Sequence, residues 1–459
     1  LRVQLDEPGT VYYVVEPAAA SAPSITEVQN GQASGGGEPE AAGTMNVSVY
    51  ESTVDSLVTG LSAETSYKIY LVAKDDEVTP NTQTTLEIIE FTTTETPMDY
   101  YWIGNSGNWS DAGNWALTSG GDSLHTEAPK EIDNVHFDEN SFTSDNQTVT
   151  VDINQAKAKN MDWSGVKHFP RFYNTNSLEI YGSLMVPDSV DFDSFNNYFY
   201  ADGDTSYISI DYSSGDDLNY FYFYGNATFV ITDSVKLDLH LNHYNGELYM
   251  NDVAIKAGKY VVNDDGSKTL TMDNAQLYVN DFSNHYPDQL DMNLHNASFY
   301  VYDDFTGGSR SYDNVILSGT SANVFGSNDF NMLTLLPGAK VLLDDGTTQT
   351  VDTLVAEGQR TNLISIFSDS KGNKATIHSN ADTVKVAYVK LRDSWATGTA
   401  TFIADNSEDQ GNNIGWSIHE IIPIDYYWIG DGGNWSDLNH WATTSGGSTL
   451  HTSLPSKYD

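Results

Sequence analysis

One block of sequence occurs twice without a gap. DYYWIGNSGNWSDAGNWALTSGGDSLHTEAPKEID runs from Asp99 to Asp133, and DYYWIGDGGNWSDLNHWATTSGGSTLHTSLPSKYD runs from Asp425 to Asp459. With Asp99 laid on Asp425, the copies match at 22 of 35 positions. Self-similarity of this kind marks a tandem array, here a module opening near Asp99 and a second opening near Asp425. Leu1 carries no initiator Met, basic segment or apolar segment of a leader, and Asp459 falls inside the repeated pattern. Both ends are therefore expected to be cuts through something longer.

Inside the module a finer period is visible. Asn226-Ala-Thr-Phe-Val recurs as Asn245-Gly-Glu-Leu-Tyr, Asn274-Ala-Gln-Leu-Tyr and Asn296-Ala-Ser-Phe-Tyr, and more loosely as Ser321-Ala-Asn-Val-Phe. The steps between these starting points are uneven, the longest running from Asn245 to Asn274. One short strand and one polar turn per coil predicts a parallel β-helix (β-solenoid), because a single coil cannot bury its inward face without a neighbour. The longest step contains Asn263-Asp264-Asp265-Gly266, which is expected to hold an extra hairpin. A β-sandwich with long strands is the alternative.

The fold class is all-β: 28 Tyr and 18 Phe, among many Val, Thr and Ile, suit half-buried pleated surfaces. Residues 1–97 form a different unit. Val11 to Val15 and Lys68 to Ala73 alternate like strands, and Ser34 to Gly43 is loop-like. Leu61…Thr65-Ser66-Tyr67 has the spacing of a tyrosine corner, in which the hydroxyl bonds upstream backbone. This segment resembles a fibronectin type III-like sandwich whose first strand lies outside the chain. Thr92 to Pro97 is the linker, residues 98–422 the solenoid module and residues 423–459 the start of the next.

A second resemblance covers about residues 99–420. YYWIGNSGNWSDAGNWALTSGG, Asp133-Asn-Val-His-Phe-Asp138, Met161-Asp-Trp-Ser-Gly165, Leu333-Thr-Leu-Leu-Pro-Gly338, Leu391-Arg-Asp-Ser-Trp-Ala-Thr-Gly398 and Gly411-Asn-Asn-Ile-Gly-Trp416 are similar to a repeat of very large surface proteins of Bacteroidota. It departs from the common pattern at Asn114, where the second copy has His440. The resemblance implies a gliding-adhesin-like, type IX-secreted, extracellular cell-surface protein.

Charge and composition narrow the partners. Net charge is 21 − 64 = −43, which repels nucleic acid and anionic membrane. No apolar run is long enough to span a bilayer. The acidity fits a well-solvated surface in salty water, divalent-cation binding or a cationic partner. No Cys is present, which removes disulfides, thiolate catalysis and zinc–sulfur sites. Neighbouring repeats are the expected partners, with glycans and other copies in a filament as candidates.

Candidate functional residues carry a structural alternative each. Trp102, Trp109 and Trp115 are expected to cap the open end of the solenoid, with a sugar-stacking platform as the alternative. Tyr198, Tyr200, Tyr207, Tyr212, Tyr220, Tyr222 and Tyr224 form an aromatic block. Tyr220, Tyr222 and Tyr224 are candidates for glycan or partner contact, or members of a stacked ladder. Asp202, Asp204, Asp264, Asp265, Asp344 and Asp345 are candidate calcium ligands or ordinary turn formers, as are Asp75-Asp76, Asp216-Asp217 and Asp303-Asp304. No cofactor is required. Asp202/Asp204 and Asp303/Asp304 are the carboxylate pairs a glycosidase would need. With no cationic cluster and no HExxH, GxSxG or P-loop pattern, the chain is expected not to be an enzyme. Asp followed by Ser/Thr and an apolar residue, at Ser56, Ser123, Ser189, Ser234, Thr353 and Thr383, resembles the O-glycosylation motif of Bacteroidota secreted proteins.

Overall fold

The computed structural model describes residues 1–211, 218–263 and 266–459. It is all-β, about half strand, and falls into two compact units, Leu1–Met98 and Asp99–Asp459.

In the first unit, alternation builds a four-stranded antiparallel sheet in the order Ala41–Val47, Gly9–Pro17, Ser66–Asp75, Glu87–Thr92. The loop expected over Ser34 to Gly43 thus ends early, at Ala41. Val11, Tyr13, Val15, Met45, Tyr67, Ile69 and Leu71 project to one face. Arg2–Gln4, paired with Thr53–Asp55, borders that face through Val3 and Val54. Val14, Tyr70 and Val72 project to the other, where Val28 of the short helix Ile25–Gln29 covers them. That helix was not expected from the sequence. Its signal is the Ser24-x-x-Glu27 capping box, in which the Glu27 backbone N–H donates to Ser24 Oγ and the Ser24 N–H donates to Glu27 Oε2 at 2.6 Å. The Tyr67 hydroxyl accepts the Ser62 N–H at 3.0 Å, the upstream backbone bond that the Leu…Thr-x-Tyr spacing predicts.

The second unit is a parallel β-solenoid of about twelve turns. From Asn134 to Leu290–His295 a coil has a short strand on one side and a long, bent strand, or two shorter ones, on the other two; beyond it the longer strands Ser311–Leu317, Asp329–Leu335 and Thr348–Ala356 alternate with the short Ala322–Phe325 and Lys340–Leu343. The first side stacks Asp99–Trp102, Asn134–His136, Asn160–Asp162, Leu184–Val186, Thr205–Ile210, Thr228–Ile231, Gly246–Asn251, Lys268–Asp273 and Leu290–His295 in parallel register. Equivalent apolar positions therefore form columns through the interior. Phe221, Leu241, Tyr260, Phe282, Phe305 and Val324 are successive register partners, and all are fully buried. Each such side chain contributes about 1.5–3 kcal/mol of burial. No coil could bury its own residues alone.

The recurring Asn pattern proves to be a signature of coil corners and not of one side. Phe229 pairs with Leu248 on the first side, Leu277 with Phe299 on the second, and Val324 sits on the third beside Phe305. True coils on the first side are more even than the pattern: Thr228 leads to Glu247, Gly246 to Lys268 and Lys268 to Leu290. The long step from Asn245 to Asn274 is thus a change of side. Of the extra hairpin expected at Asn263-Asp264-Asp265-Gly266, Asp264 and Asp265 lie outside the described residues; Ala254–Val262 and Lys268–Asp273, on either side, lie in different parallel sheets. The corners turn through left-handed backbone, which Gly and Asn tolerate: beside Asn226 and Asn245 it falls on Gly225 and Gly246, and at the other two on the Asn itself. Asn274 and Asn296 have φ of 47° and 52°, and the Asn296 amide donates to Asn274 Oδ1 at 3.0 Å.

Candidate functional site

At the solenoid's opening, Asp99–Trp102 turns back through a 3₁₀ turn at Ala112–Asn114 to pair antiparallel with Trp115–Ala116. Trp102, Trp109 and Trp115 are fully buried. Trp115 meets Trp102 and Trp109 edge-on, each at 4.9 Å between centroids. Its indole N–H donates to the Trp109 carbonyl at 2.9 Å, and that of Trp102 to the Asn105 carbonyl at 3.0 Å. Phe137 and Phe172 from the following coils pack on the cluster. The rings meet protein on every side, so this copy has no free face for a sugar.

The tyrosine block follows from an in/out strand. Along Leu218–Tyr224, Phe221 and Phe223 enter the core while Tyr220, Tyr222 and Tyr224 stay half-exposed outside. Parallel register places like above like: Tyr198 pairs with Tyr222 and Tyr200 with Tyr224. The rings stack, Tyr198 on Tyr222 at 4.5 Å, Tyr200 on Tyr224 at 5.2 Å and Tyr224 on Tyr244 at 4.2 Å. Tyr181 extends the column at 5.3 Å from Tyr200. Ring faces are thereby covered by the coils above and below, and edges and hydroxyls reach water. Burial pushes the Tyr222 phenol up to about 12 and raises Tyr224 further, helped by a hydrogen bond with Tyr244. Such a ladder can donate and accept hydrogen bonds along its length, but stacking on ring faces is available only at its ends. Tyr207 lies apart, exposed on the first side, and Tyr212 lies outside the described residues.

The acidic candidates separate. Asp344 and Asp345 are brought together with Asp369 of the next coil, with one oxygen of each within 4.8 Å of the others. Sequence reasoning missed Asp369 because its signal is the coil offset alone. Two of these carboxylates already hold protein donors: Asp369 Oδ1 accepts the Asp345 N–H at 2.9 Å, and Asp345 Oδ2 accepts the Asn373 amide at 2.6 Å. Asp202 and Asp204 are exposed beside the strand Thr205–Ile210, and Asp264, Asp265, Asp216 and Asp217 lie outside the described residues. Of the pair Asp303/Asp304, Asp304 is committed to the Asn323 backbone N–H and side-chain amide at 3.3 and 2.6 Å. Burial, with Asp281 and Asp304 nearby, raises the Asp303 carboxyl. In the first unit Asp75 Oδ1 accepts the Asn81 N–H at 2.9 Å and closes its own loop.

A groove not foreseen from the sequence runs beside Leu290–His295, lined by Met292, Leu294, Tyr312, Asp313, Asp329 and Asp352. Among the hydroxyls of the glycosylation-like tripeptides, those of Ser123, Ser234, Thr353 and Thr383 belong to exposed residues and those of Ser56 and Ser189 to half-buried ones. No helix is long and apolar enough to cross a membrane among the described residues.

The second copy of the opening segment repeats the first in detail. Trp441 donates to the Trp435 carbonyl at 2.9 Å, His451 contacts the Asp425 carbonyl at 3.0 Å as His125 contacts that of Asp99 at 3.1 Å, and Tyr426 stacks on His451 at 3.8 Å as Tyr100 does on His125 at 3.6 Å. Comparison of the chain with protein-family models, curated proteins and solved structures finds no match.

Proposed function

We propose that this chain is a structural and adhesive repeat segment of a large extracellular surface protein, a stiff solenoid reaching outward from the cell, preceded by a fibronectin type III-like unit. The observation that carries the reading is a continuous core of parallel coils whose Trp-rich opening at Asp99 recurs at Asp425. About twelve coils at roughly 4.8 Å each make a column on the order of 60 Å per module. Hydrogen bonds between coils make such a column resist bending. In this reading the role is non-catalytic: of the carboxylates brought together, Asp345 and Asp369 are held by amide and backbone donors, and the tyrosine column offers edges and hydroxyls for contact with a glycan or partner.

Negative-stain or cryo-electron micrographs of the full chain test the proposal. Straight particles with a segment of about that length are expected, and native material should carry the segment in longer tandem rods. Compact particles with no elongated part would overturn it. A glycan array separates an adhesive role from a spacer: binding lost in Y220A/Y222A/Y224A places the contact on the tyrosine column.

A further inference from the structure

The second opening segment does not merely follow the solenoid; it is gripped by it. Between Thr348–Ala356 and Ile364–Ser368 a tight turn is closed by reciprocal backbone bonds of Gln359 and Asn362 at 3.1 and 2.8 Å, with Arg360 at its tip. The Arg360 guanidinium donates to Asp459 Oδ1 through Nε at 2.9 Å and again through Nη2. Nη2 also reaches the carbonyls of Ile422 and Tyr458 at 3.0 and 3.1 Å. The Arg360 side chain is 14% exposed and that of Asp459 2%, while Asp459 as a whole residue is exposed. Beside it, Glu408 Oε2 on the strand Thr401–Asp409 accepts the Tyr458 hydroxyl at 2.7 Å and the Lys457 ammonium at 3.2 Å.

The first copy of the segment is built differently at these same positions. Asp133 stands where Asp459 does, and each carboxylate caps its own turn, accepting the N–H of Lys130 or Ser456 at 2.9 or 2.8 Å. But Glu131 and Ile132 stand where Lys457 and Tyr458 do. Opposite Glu408 they would set carboxylate against carboxylate and leave no hydroxyl donor. Glu131 instead receives Lys157 of its own next coil at 3.4 Å.

We propose that Arg360 and Glu408 form a keyed socket that accepts an opening segment carrying Lys-Tyr-Asp at the positions of 457–459 and rejects one carrying Glu-Ile-Asp there, so that the junction fixes which module follows which and at what angle. Arg360 reads the Asp common to both copies; Glu408 reads the two residues that differ. Discrimination thus combines an attraction with a like-charge clash, the two means by which an interface selects a partner. The inference concerns one junction within the chain and stands apart from the role of the rod.

The chain has no native Cys, so spin labels at D382C and S445C report the solenoid-to-segment distance in the full-length protein. A single narrow distribution is expected. It should broaden in K457E/Y458I, which rewrites the second copy as the first, and in R360A. It should narrow again in E408K/K457E, while E131K/I132Y leaves it unchanged. Near-UV circular dichroism of the Trp428/Trp435/Trp441 cluster verifies that the segment itself stays folded. A distribution that remains narrow in both K457E/Y458I and R360A overturns the socket. Broadening that the charge exchange does not reverse overturns the keying.

Discussion

The two opening segments are one local structure in two surroundings. In both, a short strand pairs with a Trp-Ala strand, a 3₁₀ turn is capped by an Asp, and a Tyr–His stack sits beside a Trp pair. In the first, coils lie on top and Trp102 and Trp109 are fully buried; in the second, Trp428 is 39% and Trp435 63% exposed. The indole bond is nevertheless 2.9 Å in both copies, and the His–carbonyl contact is 3.1 Å in the first and 3.0 Å in the second. Local geometry therefore comes from the repeated pattern itself, while burial is added by the next coil through Phe137, Phe172 and the bond from the Trp109 backbone N–H to the Thr150 carbonyl at 2.8 Å. The opening segment is a seed whose apolar face the following coil completes.

The largest separation between the copies should come from truncating the shared tryptophan. W115A removes a side chain packed on all sides and should cost about 3–5 kcal/mol in denaturant unfolding. W441A, whose neighbours are already half in water, should cost under about 2 kcal/mol. Equal losses would mean that the coil adds nothing.

Acid should divide the copies next. His243 is buried in the coil stack between the Tyr260 hydroxyl and the Gly246 carbonyl, at 2.9 and 3.1 Å, and burial lowers its pKa to about 4. The unfolded chain takes up this proton near pH 6.5 and the folded chain only near 4. Stability is therefore intact above about 6.5 and falls as pH drops through that window, by about 3 kcal/mol in all. Burial works to raise Asp459, but Arg360 and Ser456 outweigh it and hold the carboxyl down to about 2, so the grip on the second copy outlasts that loss. Hydrogen exchange at about pH 4.5, inside that window, should show faster opening of the coils with the 456–459 amides still protected, and H243F should flatten the profile.

Glycine substitutions sharpen the comparison at closer range. A Cβ on Gly107 would lie 2.5 Å from Asn114 Nδ2, and one on Gly433 2.0 Å from His440 Nε2. Because Gly107 is also paired to the coil at Val149, G107A should cost about 1–3 kcal/mol. G433A should chiefly displace His440, visible as lost stacking on Trp428. The smallest effect is expected for H440N, which gives the second copy the residue of the first. It removes a ring lying parallel to Trp428 at 4.6 Å and should cost about 0.5–1 kcal/mol, read from thermal melts of Trp fluorescence.

Much of this was legible in the chain. The return of the Asp99 block at Asp425, the β content and the alternation of Phe221 and Phe223 with Tyr220, Tyr222 and Tyr224 are periodic signals, and periodic signals survive without coordinates. The Asn-x-x-apolar pattern pointed to coils but misnumbered them. The same corner chemistry serves all three sides, so spacing alone does not say which side a strand occupies. Asp369 and the Arg360–Asp459 pair left no local trace: Asp369 lies a coil away from its partners, and Asp459 is far along the chain from Arg360. The helix at Ile25–Gln29 had a signal, the Ser24/Glu27 box, too short to outweigh the strands around it.

The parallel register has a mechanical consequence. Bonds between coils point along the stacking axis, so tension along that axis loads one rung at a time at the end of the stack. A solenoid pulled from its ends should then yield in steps. Each step frees one coil, such as the stretch from Gly246 to Lys268, or about 70 Å of slack. In the proposed role, such a solenoid would absorb a sudden jerk by lengthening and rewind coil upon coil when the load is gone.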